Sequence, residues 1–148
     1  ALHYHAEQTR DPDNRITLSD QTDSIGLPKL RIAFRMRDVD FEGVMRAHEL
    51  LDQDLQTADA GRLRFDGPRG ACLEQIAASA RDGYHQLGGA CMSADRREGV
   101  VDAQCRTHDL GNLWIAAGCV FPSSGQANPT LTIVALARRL AAALASDA

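Results

Sequence analysis

The chain has 148 residues, 16 basic against 20 acidic, and a net charge of -4, which leaves no basic stripe of the kind nucleic-acid binding requires. A chain of this length is expected to form one domain with a core. No apolar run approaches the roughly 20 residues that cross a bilayer and no charged-then-apolar leader precedes the first strand-like segment, so the expectation is a soluble, cytoplasmic protein.

Leu2 to Ala6 and Arg15 to Leu18 alternate in strand fashion around a turn-like Asp11-Pro12-Asp13-Asn14, which predicts a hairpin. Leu30, Ile32, Phe34 and Met36 then alternate with Lys29, Arg31, Ala33 and Arg35, a period of two that predicts an antiparallel strand with one buried face. After Asp38 and Asp40, either able to cap, Phe41, Val44, His48, Leu51, Leu55 and Ala58 follow three-four spacing up to Gly61 at a C′ position, predicting an amphipathic helix that covers the sheet. Arg62 to Asp66 reads as a further strand, and Cys72 to Ala80 as a shorter helix.

At Gly83 the sequence becomes rich in glycine and small residues. Leu113 to Ala117 is a short apolar run suited to a buried strand. From Pro129 to about Leu144, Leu131, Ile133, Val134, Leu136, Leu140 and Leu144 spread around nearly the whole helical circumference, and such a helix requires surroundings this chain is too small to supply. The four cysteines, Cys72, Cys91, Cys105 and Cys119, include no C-x-x-C and no short histidine pairing, so reduced thiols are expected rather than zinc or disulfides. His3 and His5 share a strand face and are read as exposed rather than as metal ligands; His48 and His108 are read as structural.

Two segments carry more. Tyr84-His85-Gln86-Leu87-Gly88-Gly89-Ala90 is followed some forty positions later by Ala127-Asn128-Pro129-Thr130-Leu131-Thr132, with Val101-Asp102, Arg106, Asn112-Leu113 and Phe121-Pro122 in order between them. Together these resemble the C-terminal region of the glucose–methanol–choline (GMC) flavoprotein oxidoreductases, and Asp13-Arg15-Ile16-Thr17-Leu18 extends the resemblance over most of the chain. Gly89 and Cys91 depart from it, standing where the family commonly has Thr and Arg.

The resemblance implies alcohol oxidation by FAD: a hydride passes to flavin N5 and a base removes the hydroxyl proton. His85 is the implied base, since an imidazole's ordinary pKa of about 6.5 suits it to that task, and Asn128 would hydrogen-bond the substrate oxygen. Asn128-Pro129 also favours a helix start, whose positive end would face the flavin's negative edge; the resemblance assigns this role to Asn128, Pro129 and Thr130. It places the backbone of Gly118 and Cys119 beside the FAD chain.

The G-x-G-x-x-G fingerprint of an FAD-binding fold is absent from these 148 residues, and the sequence starts at Ala1. The expected architecture is therefore α+β: residues 1–82 as a substrate-domain part with an antiparallel sheet and helices, and 83–148 as a catalytic segment whose strand and helix complete an FAD-binding α/β domain supplied mostly elsewhere. That makes the chain a C-terminal piece or small subunit of an FAD-dependent oxidoreductase, acting with a larger FAD-binding partner on an alcohol, preferably a sugar or glycoside hydroxyl. The alternatives are a non-catalytic accessory subunit of a flavoprotein complex and an autonomous small binding domain.

Overall fold

A computed structural model describes residues 4–81 and 84–146. The chain divides into two compact units, Ala1–Asp82 and Gly83–Ala148. Its described regular elements are a two-stranded antiparallel sheet and three α-helices, an α+β composition as expected.

In the first unit β1 (Arg15–Thr22) pairs with β2 (Pro28–Ala33). Ile16 lies opposite Ile32 and Leu18 opposite Leu30, with an irregularity before Thr22. The predicted pairing of Arg15 to Leu18 with Leu2 to Ala6 is therefore wrong: residues 4–6 form no strand, while Leu2 and His3 lie outside the described residues. The turn is instead built by Asp23, whose Oδ1 accepts the N–H groups of Ile25 and Leu27, both at 2.9 Å, with Gly26 at φ 85° supplying the left-handed residue. Asp11 to Asn14 is a turn, but it serves the far end of the hairpin. There Asn14 accepts the N–H of Arg35 and donates to its carbonyl, each at 2.8 Å, so the alternation Leu30 to Met36 leaves the ladder at Ala33.

The helix α1 (Asp38–Thr57) has Arg37 as its N-cap, ahead of the expected caps Asp38 and Asp40, which both fall in its first turn. Asp40 sits at its third position and accepts the N–H of Arg37 at 2.9 Å and that of Thr9 at 2.7 Å, which ties the N-terminal segment to the helix start. It ends before Gly61: Asp59, at φ 52°, takes the left-handed position, and Ala60 N–H closes on Leu55 O. Arg62 to Asp66 forms no strand; Leu63 N–H is bonded to Asp52 Oδ1 at 2.7 Å, which draws this segment to the helix rather than to a ladder. The helix α2 (Arg69–Ser79) starts three residues earlier than predicted, because Pro68 is suited to a helix entry.

The two helices pack on each other, and each buries one side chain, Met45 in α1 and Cys72 in α2. Arg69 joins them by gripping Glu42 and Glu49, and its guanidinium holds the Glu42 carboxyl below its ordinary pKa. The expected burial of one sheet face beneath α1 does not occur within this chain: Ile16, Leu18, Leu30, Ile32 and Phe34 are all exposed.

The second unit has little regular structure before α3 (Thr130–Ser146). Its core is Val101, Cys105, Val120 and Leu140, flanked by Met92, Trp114, Ile115, Cys119, Phe121 and Leu136. Leu113 to Ala117 makes one isolated bridge, Trp114 to Arg106, not a sheet strand; single bridges through Met92, Val101 and Thr107 take its place. The four cysteines are unpaired, two buried and two half-buried.

Candidate functional site

The segment containing His85 emerges from a strained start: Tyr84 has φ 60° and is 86% exposed. His85 is exposed as well. Past it the chain turns at Gly88, φ 83°, and then runs beside residues 119–121. Ala90 N–H donates to Cys119 O and Met92 N–H to Val120 O, both at 2.8 Å. Cys91 Sγ–H closes the turn on Gly88 O at 2.9 Å. The cysteine that departs from the family's pattern thus stabilises the loop it stands in.

Gly118–Val120 forms a 3-10 turn under this loop. A Cβ at Gly118 would lie 2.8 Å from Leu87 Cδ2 and 3.1 Å from Ile133 Cδ1. Leu87 is two residues after His85, and Ile133 belongs to the first turn of α3. The bare Cα of Gly118 is therefore the point at which the His85 loop and the start of α3 meet.

At that start Asn128 and Thr130 are exposed and Pro129 is buried. Ile133 N–H bonds Pro129 O at 3.0 Å, so Pro129 supplies the first helical carbonyl and the helix proper begins at Thr130, one residue later than an Asn128 cap predicts. Its first turn contains no acidic residue, so no carboxylate of that turn offsets the positive helix end. The helix buries Leu140 and leaves Leu131 82% exposed and Val134 half exposed.

The intervening motif residues shape the unit. Asp102 Oδ1 accepts the N–H groups of Gln104 at 2.8 Å and Arg106 at 3.0 Å, and Asp102 N–H returns to Arg106 O at 2.8 Å. This closes a tight loop that turns Cys105, φ 65°, into the core. Arg106 lies over the Trp114 ring at 5.6 Å, a cation–π contact. Arg139 of α3 reaches the same loop at Ala103 O. Sequence reading singled out Asp102 and Arg106 without a role; the structure gives them this one.

Of the remaining described histidines, His5 is exposed, and His48 and His108 make contacts that tie backbone segments. His48 Nδ1 donates to Val44 O at 2.9 Å and its ring stacks on Tyr4 at 4.3 Å, and His108 Nε2 lies 3.1 Å from Ser93 O. No group of three or more metal-binding side chains occurs among the described residues, and no described helix is long and apolar enough to cross a membrane.

Residues 10–137 match the family model described as GMC oxidoreductase. Among curated proteins the chain is 30% identical to the fructose dehydrogenase large subunit of Gluconobacter japonicus over 99% of its own length and 25% of that protein. It is 33% identical to the 6'''-hydroxyparomomycin C oxidase of Streptomyces lividus, over 90% of this chain and 23% of the other. With the paromamine 6'-oxidase of Streptomyces fradiae the identity is 31%, over 91% and 23%. The chain thus spans about a quarter of the length of these relatives.

Proposed function

Because the chain belongs to the GMC oxidoreductase family, we propose that it is the catalytic C-terminal part of an FAD-dependent enzyme that oxidises an alcohol, with the FAD-binding remainder supplied by a larger fragment or partner chain. The observation that carries this reading is the junction at Gly118, where the His85 loop meets the first turn of α3. Two groups needed on one substrate, a base and an orienting amide, extend from the two segments joined there.

Bound FAD would supply the hydride acceptor, its N5 atom. His85 takes the hydroxyl proton at an imidazole nitrogen; the residue lies at the surface of this chain. Asn128 donates to or accepts from the same oxygen and fixes its direction. The exposed start of α3, without acidic residues in its first turn, suits an anionic flavin edge, which Asn128, Pro129 and the Thr130 N–H would face. Gly118 and Cys119 form the adjoining backbone. The Cys119 carbonyl already accepts Ala90 N–H, which fixes the peptide's orientation in this turn.

The substrate we propose is a sugar or glycoside hydroxyl. Fructose dehydrogenase carries a sugar in its name, and two further relatives are oxidases of paromamine-type molecules. Four unpaired thiols fit a reducing, cytoplasmic setting.

The test is purification of the protein from its source without denaturant, followed by a visible spectrum and a mass measurement. A yellow flavin spectrum on a species well above 16.0 kDa is the expected result. A colourless 16.0 kDa species overturns the reading.

A further inference from the structure

The loop that carries His85 is held unevenly. From Ala90 onward its main chain is fixed: Ala90 N–H donates to Cys119 O, Met92 N–H to Val120 O and Val100 N–H to Cys91 O, all at 2.8 Å. Before Ala90 stand two glycines, the most permissive backbone positions. A Cβ on Gly88 would meet nothing nearer than 3.6 Å, and one on Gly89 nothing nearer than 3.8 Å, so close packing does not confine the chain there. A bond across this turn comes from a side chain. Cys91 Sγ–H donates to Gly88 O at 2.9 Å, with Phe121 O at 3.6 Å as a second acceptor. The thiol therefore joins the turn that follows His85 to the stretch of chain that is already anchored.

We propose that Cys91 is a positioning residue for His85: its thiol locks the Gly88 turn, and with it the direction from which the His85 imidazole approaches a substrate hydroxyl. This deepens the proposed function and rests on it. A base takes a proton only within hydrogen-bond reach of it, and a displacement of about 1 Å caused by a change away from the chemistry can cost about 10²-fold in rate. The glycine pair gives the loop room for such displacements. Two contacts restrain it, that of Leu87 with Gly118 and that of the thiol with Gly88 O. Cys91 is half-buried, which spares its bond part of the competition from water. An S–H group is nevertheless a weak donor, so the bond adds little to the stability of the unit. Its consequence is local, in where the loop stands, and is read in turnover. Cys91 acts through His85 and takes no part in the chemistry itself.

The test is a double-substitution cycle in the intact enzyme, read as the anaerobic rate of flavin bleaching by a hexose or its methyl glycoside. Cys91→Ala is expected to slow bleaching by about 10–100-fold with flavin content retained. Cys91→Ser keeps a donor and is expected to stay within about threefold of the unsubstituted rate. In a His85→Ala background the same Cys91→Ala change is expected to cost less than about twofold, because the group it positions is gone. An equal fall in both backgrounds overturns the proposal and leaves Cys91 a structural role; so does Cys91→Ala at the unsubstituted rate. Should Cys91→Ala fail to fold, a Cys91→Ser enzyme slowed more than about tenfold overturns it. Amide hydrogen exchange of residues 86–90 gives an arm independent of turnover: it is expected to quicken in Cys91→Ala and recover in Cys91→Ser, and unchanged exchange opposes the proposal. Bleaching of His85→Ala at the unsubstituted rate sinks the reading of His85 as base, whatever Cys91 does. A slow His85→Ala enzyme with an additive Cys91→Ala loss sinks this inference alone.

Discussion

Gly118 presents its bare Cα to Leu87, so closely that a Cβ there would stand 2.8 Å from Leu87 Cδ2. The same absent atom would stand 3.1 Å from Ile133 Cδ1. One glycine therefore sets the separation between the loop that carries His85 and the helix that follows Asn128.

Gly118→Ala is expected to destabilise by about 1–3 kcal/mol, in the range of an added methyl in a packed site. The lower end applies, since the crowded atoms are the ends of flexible side chains. Turnover is expected to fall more steeply than stability, because Leu87 moves away and takes His85 with it. Thermal unfolding beside steady-state kinetics of the intact enzyme separates the two effects.

Asn128→Ala removes one hydrogen bond to the substrate oxygen in the proposed site. A loss of about 1–2 kcal/mol, roughly a tenfold fall in kcat/KM, is the expected outcome, with thermal stability nearly unchanged because Asn128 is exposed. Steady-state kinetics with a sugar or glycoside substrate checks it.

Asp102→Ala removes the acceptor of two N–H groups beneath a buried cysteine. An unfolding penalty of roughly 1–2 kcal/mol follows, and Asp102→Asn, which keeps an acceptor oxygen, is expected to recover most of it. Denaturant titration of the three proteins tests the pair.

Burial raises the pKa of Asp40, but the N–H groups of Arg37 and Thr9 outweigh it, so the carboxyl titrates below its ordinary 3.8. A depressed folded value means that the carboxylate's contribution is complete above 3.8 and declines as pH falls through the lower folded value. Acid is therefore expected to loosen the start of α1. Asp40→Asn, costing about 1 kcal/mol at neutral pH, is expected to flatten the part of the stability curve that lies below 3.8, measured by denaturant titration at each pH.

The helices were legible because their signals are local. The three-four spacing from Phe41 to Ala58 and the acids ahead of it locate α1 within a few residues, and Pro129 marks the start of α3. The strand at 2–6 and the strand at 113–117 were misread because alternation and apolar runs say nothing about partners. Asn14 and Asp23 decide the hairpin by side-chain bonds to backbone groups far along the chain, and no periodicity records such bonds. In the second unit the core is held by isolated bridges and the Asp102 turn, which carry no periodic signature. The covering of the sheet is an expectation from alternation alone, which does not say what lies over the face, and in this chain that face is open. His85 and Asn128 were legible only as members of an ordered motif; the glycine that links their segments was visible in the sequence, but the contact that requires a glycine there was not.

The central claim is that His85 acts as the base in alcohol oxidation by bound flavin. The most direct measurement is the anaerobic bleaching of the flavin's yellow absorption on mixing the intact enzyme with a sugar or glycoside substrate, comparing the unsubstituted protein with His85→Ala. The account predicts bleaching that is slowed by about 10²–10⁴-fold in the variant, the range for a lost general base, with flavin content retained. Bleaching of His85→Ala at the unsubstituted rate would contradict it.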